Sequence, residues 1–436
     1  MDAARRVVPG DLLVVDGRIA ALGEGVPAAL EALPGRRAEE RFDASGCLVL
    51  PGLIHAHLHL CQTLFRGLAE QDDLLRWLRE RIWPLEHAHT EASIAASARL
   101  GVCELLASGA TCVNDMGAVR HTEAVASVVE ETGVRAVLGK ALMDQGEGVP
   151  AGMLESAGAA LDGGLALAKR WHGRAGGRLQ VSLAPRFILS CSEELWRGVR
   201  DAARRENLLV HTHLAESPGE GEAVQAAVGE SATRYFARHQ LLGERFLGAH
   251  GVWVDAEEAA VLGSAGAAVA HCPGANLKLG AGIADVRMLR QAGVRVGLGS
   301  DGAACNNRLD ALEEMRMAAL LSRWRSRGRG LSAREVVELA TCEGARALGL
   351  ATRVGSLEVG KEADLTVVSL EAPHLEPREG ADPYDALVYA ARASDVRLTM
   401  VAGRVLYRDG GFTTLDPAEV VAEARAERRG LLRRAA

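Results

Sequence analysis

The run Pro51-Gly52-Leu53-Ile54-His55-Ala56-His57-Leu58-His59 sets a histidine at every second position of an apolar segment. On a β-strand, alternate side chains share one face, so three imidazoles point the same way. A core gains little from packing three imidazoles together. A metal ion gains much, because neutral imidazole nitrogen is a good ligand for zinc and iron. Kindred residues recur downstream: His211-Thr212-His213-Leu214-Ala215-Glu216, then His250, then Gly299-Ser300-Asp301. Imidazoles gathered with carboxylates make the donor set of a centre that activates water for hydrolysis.

Residues so far apart in sequence need a scaffold that brings them together. From about 50 to 350 the chain alternates short apolar strands with helical stretches, the pattern of β/α units. Strands are predicted at 48–59, 110–116, 134–142, 178–186, 207–215, 247–253, 267–272 and 295–301. Helices are predicted at Glu91–Ala107, Glu193–Arg205 and Leu309–Leu321, among others. Eight such units over this length fit an α/β fold, the TIM (β/α)8 barrel. A doubly wound open sheet would also alternate, but no G-x-G-x-x-G follows a strand here. In a TIM barrel the active site sits at the C-terminal ends of the strands. His57 and His59 end the first strand, His213 and Glu216 the fifth, His250 lies on the sixth and Asp301 ends the eighth. They therefore converge on one point of the barrel mouth.

Both ends of the chain are β-rich. Leu12–Val15 and Arg18–Leu22 flank Asp16-Gly17, a pair suited to a two-residue hairpin turn. Ala363–Ser369, Leu398–Val401 and Arg404–Tyr407 repeat that grammar, and Gly355–Lys361 leads back into it. The economical arrangement is a small β-sandwich made by residues 1–49 and 355–436, flanking a barrel at 50–354. Pro417–Arg434 reads as an amphipathic helix with a basic end, solvated on the surface.

Composition excludes several classes of function. A net charge of −7 argues against a general nucleic-acid binder, and 4% aromatic residues against a stacking surface for single strands. The eight cysteines contain no C-x-x-C pair, so neither a zinc ribbon nor a secreted disulfide framework is expected. No apolar run is long enough to span a bilayer, and MDAARRVVPGDLLVV lacks the core of a signal peptide. The expected compartment is the cytoplasm.

Seven segments together carry a family likeness: PGLIHAHLH (51–59), IWPLE (82–86), HLAES (213–217), HGVWVD (250–255), ANLKLGAGIA (275–284), SDGAACNN (300–307) and GSLEVGKEADL (355–365). Across nearly its whole length the chain resembles the amidohydrolase superfamily, in the branch of cyclic-amidine deaminases and chlorohydrolases. The likeness is strongest to the methylthioadenosine/S-adenosylhomocysteine deaminases. It implies that His57, His59, His213 and Asp301 bind one divalent metal ion, with zinc the first choice and iron or manganese also compatible. His55 and His211 would lie behind these ligands or be hydrogen-bonded core histidines. Relatives with two metals use a carboxylated lysine after the fourth strand. Here Ala184-Pro185-Arg186 stands at that place, and arginine stays cationic.

The resemblance also implies roles in catalysis. His250 and Asp301 would take the proton of the attacking water, and Glu216 would protonate a ring nitrogen as the neighbouring carbon is attacked. For the substrate, Gln62 and Arg186 resemble guanine-deaminase positions that read the base, with Phe187 placed to stack. Trp77 and Glu86 match ribose-contacting positions of the thioadenosine-type enzymes. Lys140 falls near an arginine that binds the amino-acid carboxylate of S-adenosylhomocysteine, and is a poorer fork for it. The expected substrate is therefore an aminopurine or adenosine-type nucleoside: 5′-deoxyadenosine, methylthioadenosine or a guanine-like base. A triazine-type hydrolase displacing chloride or an alkylamine is the alternative enzyme, and a non-catalytic scaffold the alternative from another class. The resemblance further implies a homo-oligomer, and a strand preceding Met1-Asp2-Ala3 in relatives that is missing from this sequence.

Overall fold

The computed structural model describes residues 4–31, 40–70, 73–377 and 379–436. Strands β1 (Asp11–Val15) and β2 (Arg18–Gly23) form the expected antiparallel hairpin around Asp16-Gly17. The expectation about a strand preceding Met1–Ala3 falls on residues outside the described ones.

The predicted strand 48–59 is two strands. β3 (Cys47–Pro51) belongs to an antiparallel sheet, and β4 (Leu53–Leu58) opens a parallel one. The break falls at Gly52, where a Cβ would lie 2.0 Å from Thr111 Oγ1. Only a residue without a side chain lets the backbone pass there from one sheet to the other.

Seven more strands follow β4 in sequence order: β5 (Ala110–Asp115), β6 (Arg135–Leu142), β7 (Leu179–Pro185), β8 (Leu209–Leu214), β9 (Phe246–His250), β10 (Ala268–His271) and β11 (Arg295–Leu298). Each pairs in parallel with the next. The Asp301 amide, just past β11, donates to the His57 carbonyl of β4 at 3.2 Å and brings the two edges together. The result is a (β/α)8 barrel. β4 and β5 are buried at every position, as strands covered on both faces must be. Helices Glu91–Ala107, Glu193–Glu206 and Ala311–Arg325 lie among the crossovers.

Two predicted strands end early. The sixth stops at His250, where the backbone turns left-handed with φ of 77°, and the eighth stops at Leu298, ahead of a left-handed Asp301 with φ of 61°. Ala215, beyond β8, is the same at 46°. Left-handed backbone at non-glycine residues costs energy and persists only where the surroundings enforce it.

β12 (Leu365–Ser369), β13 (Val396–Val401), β14 (Arg404–Arg408) and β15 (Gly411–Phe412) join β3 in a five-stranded antiparallel sheet. The β1–β2 hairpin packs on it through Ile19, Leu12 and Val14 against Leu365, Val367 and Leu398. This two-layered companion is tied to the barrel by Arg135 of β6, which donates to Asp364 (2.7 Å) and Glu362 (2.6 Å).

The last helix, Pro417–Ala435, is not merely solvated as expected. Val420, Ala424 and Leu431 are buried, and the helix packs on Glu91–Ala107. Arg434 donates to the Ala88 carbonyl (2.7 Å) and Arg428 to that of Arg66 (2.9 Å). Among the described residues, no helix is long and apolar enough to cross a membrane.

Candidate active site

Histidines and carboxylates meet where the barrel strands end. His57 and His59 come from the end of β4 and His211 and His213 from the end of β8. Glu216 follows two residues past β8, His250 closes β9, and Asp301 lies three residues past β11. The His57 ring centre is 5.0 Å from that of His59, 5.1 Å from His213 and 5.4 Å from His250. Nε2 of His57 and of His59 lie 3.2 and 3.4 Å from Asp301 Oδ1. On the other carboxylate oxygen, His250 Nε2 is 3.8 Å from Asp301 Oδ2, and it is 3.6 Å from Glu216 Oε2.

Hydrogen bonds set which imidazole nitrogen is free. His213 Nδ1 lies 2.8 Å from the Arg186 carbonyl, which can only accept, so Nε2 carries the lone pair. His250 Nδ1 lies 2.8 Å from Asn276 Oδ1, with the same consequence. His57 Nδ1 is 2.8 Å from His211 Nε2. His211 thus touches His57 from behind, whereas Nε2 of His55 is buried without a partner. Nε2 of His57 and of His250 are likewise buried and without a hydrogen-bond partner.

Those orphaned nitrogens fit a cation. In three overlapping groups (His57, His213, His250; His57, His59, Asp301; Glu216, His250, Asp301) the donor atoms lie within 4.8 Å of one another. Burial holds His57, His59 and His213 below the usual imidazole range, in the neutral form that can ligate. Burial alone would raise the Asp301 carboxyl, but the close approach of His57 and the other imidazoles around it bring it well below the carboxylate range. Glu216 goes the other way: burial, then the charges of Asp301 and Glu220, push it well above that range. The two carboxyls are thus shifted in opposite directions.

Beside this cluster is a pocket lined by His59, His213, Glu216 and Asp301 together with Gln62, Arg186 and Phe187. Trp77 lines it too, with Leu74 and Leu78, which the sequence reading did not single out. Glu86 lies behind this lining. Its Oε2 accepts from Arg186 Nη1 at 2.6 Å, and its Oε1 from Arg186 Nη2 at 3.2 Å and Gln62 Nε2 at 3.0 Å. Gln62 Oε1 is left buried and unpartnered. The Trp77 indole donates to the Ala69 carbonyl at 3.1 Å. Lys140 pairs with Glu155 and is not among the pocket-lining residues. Asn276 touches His250 yet passed unremarked inside the quoted run 275–284; a polar residue that is 0% exposed is the signal that marks it.

The signature of the Amidohydrolase family matches residues 48–406, from β3 through most of β14. The chain belongs to this family. It is 37% identical to a 5-methylthioadenosine/S-adenosylhomocysteine deaminase of Moorella thermoacetica, over 95% of this chain and 93% of that protein. It is 36% identical to a 5′-deoxyadenosine deaminase of Methanothermobacter thermautotrophicus, over 96% and 93%. Among solved structures, an adenosine deaminase from Xanthomonas campestris with bound zinc superposes with a TM-score of 0.89 at 30% identity, covering 97% of this chain and 93% of that one. Amidohydrolases of this kind depend on a metal ion, and the His/Asp cluster at the barrel mouth is where this member gathers donors for one.

Proposed function

We propose that this amidohydrolase is a zinc-dependent hydrolytic deaminase that releases ammonia from an adenosine-type nucleoside without a charged 5′ tail. The carrying observation is geometric: His57, His59, His213, His250, Glu216 and Asp301 meet at one end of the barrel beside the pocket, with the Asp301 carboxyl pushed below and the Glu216 carboxyl above the usual range. The relatives' names supply the substrate class.

His57, His59, His213 and Asp301 would hold the ion. When bound there, zinc polarises a water molecule and lowers its pKa towards neutrality. His250 offers a lone pair at Nε2 because Nδ1 is committed to Asn276, so it is the group that takes the proton of the attacking water. Asp301 Oδ2, 3.8 Å away, shares that task. Glu216, whose carboxyl burial pushes well above the usual carboxylate range, would give its proton to the ring nitrogen next to the carbon under attack. As that carbon returns from tetrahedral to planar, the proton that His250 took from the water would pass to the amine, and ammonia leaves. Arg186, Gln62 and Phe187 bind the base, and Trp77 covers it.

A second reading, a guanine-like base, is favoured by one contact. Both Glu86 oxygens are already engaged by Arg186 and Gln62, so Glu86 is not free to take a pair of ribose hydroxyls in this arrangement. One panel separates the readings: adenosine, 5′-deoxyadenosine, methylthioadenosine, guanine and a chlorotriazine, with ammonia and chloride both assayed. Ammonia from the adenosines supports the first reading and ammonia from guanine alone the second. Chloride release with no ammonia from any purine rejects both.

A further inference from the structure

Glu314 lies on helix Ala311–Arg325, outside the pocket, and is 1% exposed. A lone carboxyl in such a place needs partners, since an unpaired buried polar group is costly. Its partners come from the two segments that carry the chemistry. Oε2 accepts from the Gly274 amide at 3.0 Å, in the turn after β10. Oε1 accepts from Asn306 Nδ2 at 2.7 Å, in the loop after β11. The same Asn306 Nδ2 donates to the Ser300 carbonyl at 2.7 Å.

Each segment, the helix Pro273–Lys278 after β10 and the loop after β11, leads to a residue of the site. Two residues past Gly274 stands Asn276, whose Oδ1 holds His250 Nδ1. One residue past Ser300 stands Asp301, in its left-handed backbone. The clamp is tight: a Cβ on Gly274 would sit 2.5 Å from Glu314 Oε1 and 2.7 Å from Asn306 Nδ2. Strained backbone of the Asp301 kind survives only when its neighbours over-determine it, and Asn306 with Glu314 are such neighbours.

We propose that Glu314 is a positioning residue: through Gly274 and Asn306 it fixes the Asn276–His250 pair relative to Asp301. This rests on the reading of His250 and Asp301 as the proton-taking groups, with Asp301 also a zinc ligand. A supporting residue of this sort tunes the groups it holds without touching substrate.

The test uses the zinc-loaded full chain in two variants, Glu314→Gln and Asn306→Ala. The first sets an amide N–H against one of two donors. The second removes the donor that Ser300 and Glu314 share, leaves the Gly274–Glu314 contact in place, and stays informative if the first does not fold. Two readouts are taken: kcat and KM on whichever substrate the wild type turns over, and the rate at which zinc passes to a chromophoric chelator. The expected result is a kcat lower by about 10- to 100-fold with KM within about twofold, and faster zinc release. Folded variants with wild-type kcat and wild-type zinc release overturn the proposal. So does a loss of kcat that follows a lowered Tm and vanishes on cooling, because the role is then one of stability alone. The chelator arm needs no substrate, so a wild type inert on every purine defeats the deaminase reading and leaves this test intact.

Discussion

Arg186 and Glu86 stand a hundred positions apart and meet as a two-pronged ion pair, with N–O distances of 2.6 and 3.2 Å and both side chains buried. Burial works against the guanidinium charge, and the Glu86 carboxylate overrides it. One arm follows β7 and the other belongs to helix Trp83–His87, so the pair joins a barrel strand to the segment that carries Trp77.

Removing Arg186 leaves Glu86 buried with the Gln62 amide but without the guanidinium that balances it. Arg186→Met is expected to destabilise the fold by about 3–5 kcal/mol, more than a loss of packing explains. Arg186→Met combined with Glu86→Leu is expected to recover much of that in urea unfolding while base binding stays weak. A single variant as stable as the wild type contradicts a buried charged pair.

Glu216→Gln keeps the shape and removes the acid. The expected loss in kcat is about 10²- to 10⁴-fold, with bound zinc unchanged by elemental analysis. Near-normal turnover in a zinc-loaded Glu216→Gln enzyme removes Glu216 from the mechanism.

Dialysis against a chelator is expected to abolish ammonia release, and stoichiometric zinc to restore it. His213→Ala should not be restored at that zinc level, since it lacks one proposed ligand. Loss of ligand-linked stabilisation should also lower the Tm of the stripped protein. Full activity after metal has been shown absent by elemental analysis breaks the proposal.

Asp115, at the end of β5, makes stability depend on pH. Burial pushes its carboxyl up to about 7, against backbone hydrogen bonds from Leu60 and Gly117. The unfolded carboxyl titrates near the model-peptide value of about 3.9. Between these values the folded state binds more protons than the unfolded one. Stability from this group is therefore full below about pH 4, falls as pH rises, and is gone above about 7. Asp115→Asn keeps the acceptor for the Leu60 amide and removes the titration. Urea unfolding at pH 5 and pH 8 should show the wild type losing roughly 2–4 kcal/mol more than the variant between the two. Equal losses contradict a raised carboxyl.

The barrel and the meeting of histidines were legible because both rest on short-range rules. His57 and His59 alternate within one strand, and the strands alternate with helices along the chain. Long-range choices were not legible. Pro51-Gly52 is a local break signal that the alternation of histidines outweighed, and the close approach that requires glycine there is to Thr111, on another strand. The fork of Arg186 on Glu86 needs two segments brought together by folding. Glu314 follows Asp310 on a helix whose sequence looks like any amphipathic surface helix. The basic residues of 417–435 suggested solvation, yet two of its arginines end on carbonyls of the barrel.

That last helix has a consequence for synthesis. Arg428 and Arg434 cap carbonyls at either end of the segment from Arg66 to Ala88, which includes Trp77 and Glu86. A ribosome that stalled before Pro417 would already have made every proposed ligand, acid and base. The nascent chain would still lack the brace along one wall of its pocket, so competence to turn over substrate would come only once residues 417–435 had been made.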